Sequence, residues 1–149
     1  LFRSAIDIDE DAAKQAKYNF EKSPWSQRIY AHQSTLQNWN IDKEDIKYDL
    51  IVSNPPYITQ KEKQDMQKQI IDFEPNIALF VEDEEPLIFY EKIAKFAQQH
   101  LQKNGFLFFE INRQFGREII SLLKNLNFSE IELKKDSFGN DRMIKAIWK

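Results

Sequence analysis

Tyr48-Asp49-Leu50-Ile51-Val52-Ser53-Asn54-Pro55-Pro56-Tyr57 is the stretch that decides how the chain reads. Tyr48 to Ser53 is largely apolar and partly β-branched, the composition of a buried parallel strand. Pro55 and Pro56 bring no amide donor, and each drives the residue before it towards an extended conformation. The strand must therefore stop near Asn54, leaving a short, stiff loop at its carboxyl end. That end is where open α/β sheets bind their ligands.

The groups placed there suit a narrow chemistry. Asn54 Oδ1 and the Pro55 carbonyl are two acceptors held close together, a match for the two N–H bonds of a planar amino or amide nitrogen. Such a nitrogen is a poor nucleophile because its lone pair is delocalised. Two fixed acceptors orient it and favour the more pyramidal, partly positive nitrogen of a transition state, a preorganised electrostatic effect. Tyr57 supplies a flat surface against which an amide or a base can lie. Asn-Pro-Pro-Tyr in isolation also fits a rigid turn, and the core strand in front of it is what favours the functional reading.

The stretch resembles the Asn-Pro-Pro-Tyr signature of S-adenosylmethionine-dependent amino-methyltransferases, which act on adenine N6, cytosine N4 or the glutamine side-chain amide. The resemblance implies catalytic roles for Asn54, Pro55, Pro56 and Tyr57, and S-adenosylmethionine as cofactor.

Composition bounds the rest. The 149 residues suffice for one domain with a sizeable core, and 42% apolar with 30% charged residues describes an ordinary globular protein. A net charge of −3 supplies no basic field for a phosphate backbone. With no cysteine there is no disulfide and no cysteine–zinc site. His32 and His100 lie too far apart in sequence to suggest a metal site, and none is expected. No signal peptide or bilayer-length apolar run is present, so a cytoplasmic location is expected. The start at Leu1, inside what reads as a strand, points to a piece of a longer protein. The three glycines, Gly105, Gly116 and Gly139, form no Gly-rich strand-to-helix turn, so a nucleotide-binding loop is expected to lie outside these residues.

Working outward from the motif, Ser4 to Ile8 reads as a strand ending in a cluster of acids. Asp11 to Phe20 follows as a helix on the spacing of Ala12, Ala13, Ala16 and Phe20, with acids at its amino end. In a Rossmann-like sheet the acid that ends the second strand accepts from ribose hydroxyls; Asp7 fits this place, with Asp9 next, and capping of the helix is the alternative. Ser23 to Ser26 is a turn and Arg28 to His32 a strand. Leu36 to Trp39 falls where adenine is usually contacted. Ser34-Thr35 stands where an acid is common in such enzymes, so Thr35 is the cofactor candidate there, and Trp39 reads as a packing residue.

Asp42 to Lys47 is charged and reads as exposed. Beyond Tyr57, Thr59 to Gln69 is polar and rich in Gln and Lys, a mobile helix or lid. Glu74-Pro75 sits in a loop before an apolar stripe, Ile77 to Phe80, placed to close over a substrate or to anchor the lid. A helix starting at Asp83 to Pro86 carries a broad apolar face through Leu101 and ends at Asn104-Gly105 as a glycine cap. Phe106 to Ile111 is a core strand and Gly116 to Leu126 an amphipathic helix. Ser129 to Lys134 and Met143 to Trp148 are strands joined by a turn around Gly139.

From Asn54 onward the chain is similar to the release-factor glutamine methyltransferases, the HemK family. The residues that carry this are Asn54-Pro55-Pro56-Tyr57-Ile58, Phe73-Glu74-Pro75 with Ala78-Leu79-Phe80, Pro86 to Tyr90, Phe109-Glu110-Ile111-Asn112 and Asp141-Arg142-Met143-Ile144, in order. The resemblance implies an α/β, Rossmann-like methyltransferase fold, mostly parallel with an antiparallel terminal hairpin, over residues 1–149 as part of a catalytic domain. It implies Asn54, Pro55, Tyr57, Glu74 and Pro75 on the acceptor side, Asp7, Thr35 and Asn54 on the cofactor side, and a peptide-chain release factor as substrate. Asp9 to Ala16, Asn19-Phe20 and Ser23-Pro24-Trp25 are instead similar to a bacterial tRNA adenine-N6 methyltransferase. That keeps tRNA as an alternative acceptor, and a catalytically incompetent binding fragment as a third reading.

Overall fold

The computed structural model describes residues 3–35, 38, 47–66, 71 and 73–149. Contacts divide the chain into two compact units, Leu1–Glu44 and Asp45–Lys149. The predicted features at Leu36 to Trp39 (except Asn38) and at Asp42 to Ile46 lie outside the described residues, as do residues 67–70 of the polar segment.

The first unit is a strand–helix–strand crossover. Strand β1 (Arg3–Asp7) runs parallel to β2 (Ile29–Gln33), with Arg3 opposite Ile29 and Asp7 opposite Gln33. Helix α1 (Glu10–Glu21) joins them through a short turn at Ser26–Arg28. Its start follows from the acids: Asp9 accepts the Ala12 amide at 2.8 Å, and Glu10 and Asp11 occupy the first turn, where the helix dipole favours negative charge.

In the second unit β3 (Tyr48–Ser53) is followed by the short β4 (Ile58–Thr59), a turn at Glu62–Asp65, the one-turn α2 (Asn76–Leu79) and β5 (Phe80–Val81). Helix α3 (Ile88–His100), β6 (Leu101–Glu110), α4 (Gly116–Asn125), β7 (Phe128–Lys135) and β8 (Asp141–Trp148) complete it. Four strands form a sheet in the order β3-β6-β8-β7, and β4 pairs with β5. Among the described residues parallel pairing dominates, in three of the five strand pairs, and the antiparallel partners are β8 with β6 and with β7. The expected α/β fold with an antiparallel terminal hairpin is what the chain adopts. Among the described residues no helix is long and apolar enough to cross a membrane.

The core lies on one face of the four-stranded sheet. Leu107 and Phe109 of β6 and Ile144 and Ala146 of β8 point the same way, as the two-residue strand period requires, and all are buried. Helix α3 meets them with Tyr90, Ile93, Ala94 and Ala97, spaced one helical face apart, and α4 adds Ile119 and Leu123. Tyr90 and Phe109 touch edge to face, ring centres 5.2 Å apart.

Two expectations are corrected. Within the second unit, and among the described residues, strand β3 borders its sheet and is not buried on both faces: Leu50 is 50% and Val52 69% exposed on the face away from α3 and α4. A continuous apolar run such as Leu50-Ile51-Val52 reads as buried on both faces whether or not both are covered. Asn104-Gly105 is not a helix cap. Helix α3 ends at His100 and Leu101 already pairs with Tyr48, after which Gln102 to Gly105 bulge out before Phe106 meets Leu50. Asn104 takes a left-handed φ of 65° inside this bulge, as a short polar side chain tolerates.

Gly105 is needed because a Cβ there would sit 2.9 Å from the Gln102 carbonyl oxygen and 3.2 Å from that of Tyr48. Both are backbone atoms that cannot swing aside. Gly105→Ala is expected to destabilise the fold by about 1–3 kcal/mol, read as a lowered midpoint in denaturant unfolding.

Candidate active site

Strand β3 ends at Ser53, and Asn54 to Tyr57 leave it without regular structure before β4 begins at Ile58. Asn54 is exposed while Pro55 is buried, so the loop is anchored by its proline and presents its amide outward. Strand β6 is parallel to β3, which puts the end of β6, at Glu110, on the same edge as the motif. Strand β8 is antiparallel to β6, so the beginning of β8, at Arg142, arrives there as well.

These three strand ends converge on Tyr57. Its hydroxyl donates to Glu110 Oε1 at 2.9 Å and accepts from Arg142 Nη1 at 3.4 Å. Arg142 also lies 3.7 Å from Glu110 Oε1 and 3.6 Å from Asp136 Oδ2 in the β7–β8 turn. Asp136 is itself pinned, accepting the amides of Phe138 at 2.9 Å and Asn140 at 3.0 Å. The Asn140 amide above all holds its carboxyl below the usual carboxylate range. Gly139, with φ 84°, supplies the left-handed position this turn requires.

A second set of bonds fixes the backbone just after the motif. The buried Asn112 donates from Nδ2 to the Tyr57 carbonyl at 3.0 Å and to Glu62 Oε2 at 2.8 Å. Glu62 also accepts the Thr59 amide and hydroxyl, both at 3.0 Å, and Gln114 Nε2 at 2.6 Å. The segment expected to be a mobile lid thus begins as a cross-linked turn. A cleft of about 280 Å³ opens beside it, lined by Tyr57, Ile58, Asn112, Gln114 and Arg142 among others.

Under this layer, Tyr90 donates its hydroxyl proton to the Glu110 carbonyl at 3.3 Å and accepts the Asn112 amide at 3.3 Å. Burial pushes the Tyr90 phenol well above its ordinary value. Burial first, and then Glu110, raise Tyr57 too, with Arg142 opposing. A raised folded-state value means that the unfolded chain ionises first. The stability contributed by a neutral Tyr90 is therefore complete below about pH 10 and lost as pH climbs from there towards the folded value. Melting temperatures measured across that range are expected to fall more steeply for the native protein than for Tyr90→Phe.

The other sequence-predicted residues fall in two places. Asp7 ends β1 and Thr35 follows β2; because these strands are parallel, both lie on one edge of the first unit, where Ser34 donates its amide to the Asp7 carbonyl at 2.9 Å. Asp7 Oδ1 accepts the Asp9 amide at 2.9 Å, whereas the Asp9 carboxylate is spent on capping α1. Thr35 Oγ1 accepts the Asn38 amide at 3.2 Å. Glu74 and Pro75 are exposed, with Pro75 leading into α2. Sequence reasoning gave no role to Glu62, Tyr90, Glu110, Asn112 or Arg142. Four of these stood in the ordered runs Pro86 to Tyr90, Phe109-Glu110-Ile111-Asn112 and Asp141-Arg142-Met143-Ile144, and that order was the available signal.

Known methyltransferases resemble this chain in sequence and in fold. A family model described as an RMKL-like methyltransferase domain matches residues 3–73. The chain is 42% identical over 142 residues to a release factor glutamine methyltransferase of Flavobacterium psychrophilum, covering 95% of this chain and 48% of that protein. It spans about half the length of the curated relatives it matches. Among solved structures, the methyltransferase fold is shared with a methyltransferase from Pyrococcus furiosus, at TM-score 0.62 and 19% identity over 97% of this chain and 61% of that one. It is shared also with a release-factor-specific protein-(glutamine-N5) methyltransferase from Alicyclobacillus acidocaldarius, at TM-score 0.53 and 18% identity over 99% and 80%.

Proposed function

We propose that residues 1–149 are part of the catalytic domain of an S-adenosylmethionine-dependent enzyme that methylates the side-chain nitrogen of a glutamine in a peptide-chain release factor, in the cytoplasm. The observation that carries this reading is the Asn54-Pro55-Pro56-Tyr57 loop held rigid at the end of β3, in a chain similar along nearly its whole length to enzymes named for that reaction.

Asn54 Oδ1 and the Pro55 carbonyl accept the two N–H bonds of the acceptor amide and turn its lone pair out of conjugation. Pro56 keeps the loop extended, and the Tyr57 ring lies against the flat amide. Asp7 and Thr35, on one edge of the β1–β2 pair, fit a cofactor: a carboxylate end and a hydroxyl are the acceptors that ribose and adenine groups call for. S-adenosylmethionine, when bound, supplies an electrophilic methyl group. Positioning of the amide nitrogen then contributes much of the rate, and the nitrogen sheds its extra proton after transfer. Glu74 and Pro75 border the acceptor.

The test is methyl transfer by the full-length protein from labelled S-adenosylmethionine, with release factor and unmodified tRNA offered side by side. Label is expected in the release factor and lost when its acceptor glutamine is changed to alanine. Label in tRNA alone, or in neither acceptor, overturns the assignment, the first in favour of adenine methylation and the second in favour of a non-catalytic binding role.

A further inference from the structure

We propose that Arg142 is a positioning residue for the acceptor, acting through the Tyr57 hydroxyl; this rests on the reading of Asn-Pro-Pro-Tyr as the acceptor site. A tyrosine ring that must lie flat against an amide has one remaining freedom that the loop does not remove, rotation and tilt about its side-chain bonds. Pro55 and Pro56 stiffen only backbone, and the bond from Asn112 holds only the Tyr57 carbonyl. The ring is fixed from its far end, where the hydroxyl meets Glu110 at 2.9 Å and Arg142 at 3.4 Å.

Glu110 alone does not complete this lock. Its side chain is 39% exposed and carries a charge that needs a counter-ion to stay in one rotamer. Arg142 is that counter-ion, 3.7 Å away, and it is held in turn by Asp136 at 3.6 Å from the β7–β8 turn. A planar guanidinium reaches three partners in different directions, which a lysine ammonium on a flexible stem does not do in one geometry. The turn is closed independently by Asp136, Asn140 and Gly139. The terminal hairpin thus serves as a strut: it carries one cation back across 85 residues of sequence to the ring that faces the acceptor.

A double-substitution cycle in the full-length protein tests this. Arg142→Gln is expected to lower kcat for the acceptor by about tenfold or more with little change in the KM for S-adenosylmethionine, since small misplacements cost rate rather than cofactor affinity. In a Tyr57→Phe background, which lacks the hydroxyl, Arg142→Gln is expected to change kcat by less than about twofold. Arg142→Lys is expected to fall between native and Arg142→Gln. Full multiplication of the two single effects overturns the proposal, because Arg142 then acts on something other than the hydroxyl. A second measurement does not depend on turnover. With ¹³Cζ-tyrosine labelling, the resonance lost in Tyr57→Phe identifies Tyr57, and Arg142→Gln must shift it. An unmoved Tyr57 resonance overturns the lock even if every acceptor assay succeeds. A native protein that methylates no acceptor, with the resonance shifted, sinks the functional reading and leaves the lock standing.

Discussion

Asn54→Ala is expected to lower methyl-transfer turnover by roughly 10²–10³-fold, the loss that follows removal of one preorganised polar group aimed at developing charge. On the proposed mechanism, loss of Asn54 Oδ1 would leave the acceptor nitrogen one acceptor of two, with its amide conjugation retained and its lone pair less well aimed. Because Asn54 is exposed and follows the last residue of β3, its loss removes no core contact, and the melting temperature is expected to stay within about 2 °C of native. Single-turnover rates and thermal unfolding of the same variant check both halves. Asn54→Asp is a useful companion: it keeps an acceptor oxygen but adds charge, and should recover little if the preference is for a neutral, oriented dipole. An Asn54→Ala enzyme with native turnover removes the motif from the chemistry.

Phe109→Ala is expected to have the largest effect on stability, about 3–5 kcal/mol, through lost burial and the cavity left behind. Phe109 is 1% exposed, sits between its partners Ser53 on β3 and Ile144 on β8, and meets the Tyr90 ring edge to face. The midpoint of thermal unfolding should fall by roughly 10 °C. Activity is expected to fall below the folding transition as well, because Glu110 is the next residue and Tyr90 bonds its carbonyl; a loosened Phe109 lets both drift from Tyr57. Phe138 makes the contrast. It is the same residue type but 88% exposed at the β7–β8 turn, so Phe138→Ala should change stability by less than about 0.5 kcal/mol. Chemical denaturation of the two variants separates burial from residue type.

The bonds around Glu62 and Asn112 bear on how the acceptor side is built. A polar segment rich in Gln and Lys reads from composition as a mobile cover. Its first residues are instead tied down by one carboxylate that accepts four hydrogen bonds, from Thr59, Asn112 and Gln114. Removal of one partner in such a cluster leaves buried polar groups unpaired, which costs more than the bond itself contributes. The rigidity of the motif therefore extends beyond its prolines.

What the sequence determined by itself was everything governed by near neighbours. Two prolines after a β-branched run end a strand wherever that strand sits, because the missing amides and the steric limits are properties of the chain. Acids before Ala12 and Ala13 cap a helix, apolar residues from Tyr90 to Ala97 at helical spacing make a face, and Asp136 to Gly139 makes a turn, all within a few bonds of their cause. The tertiary structure alone decided which distant residues meet Tyr57, and which face of β3 is covered. Glu110 and Arg142 are 53 and 85 residues from Tyr57, and their arrival depends on parallel pairing of β6 with β3 and antiparallel pairing of β8 with β6. A one-residue slip in either register would send those side chains to the opposite face, so no local pattern contains the answer. The exposure of Leu50 and Val52 has the same origin: a continuous apolar run marks a strand, and only the placement of α3 and α4 says which of its faces is buried.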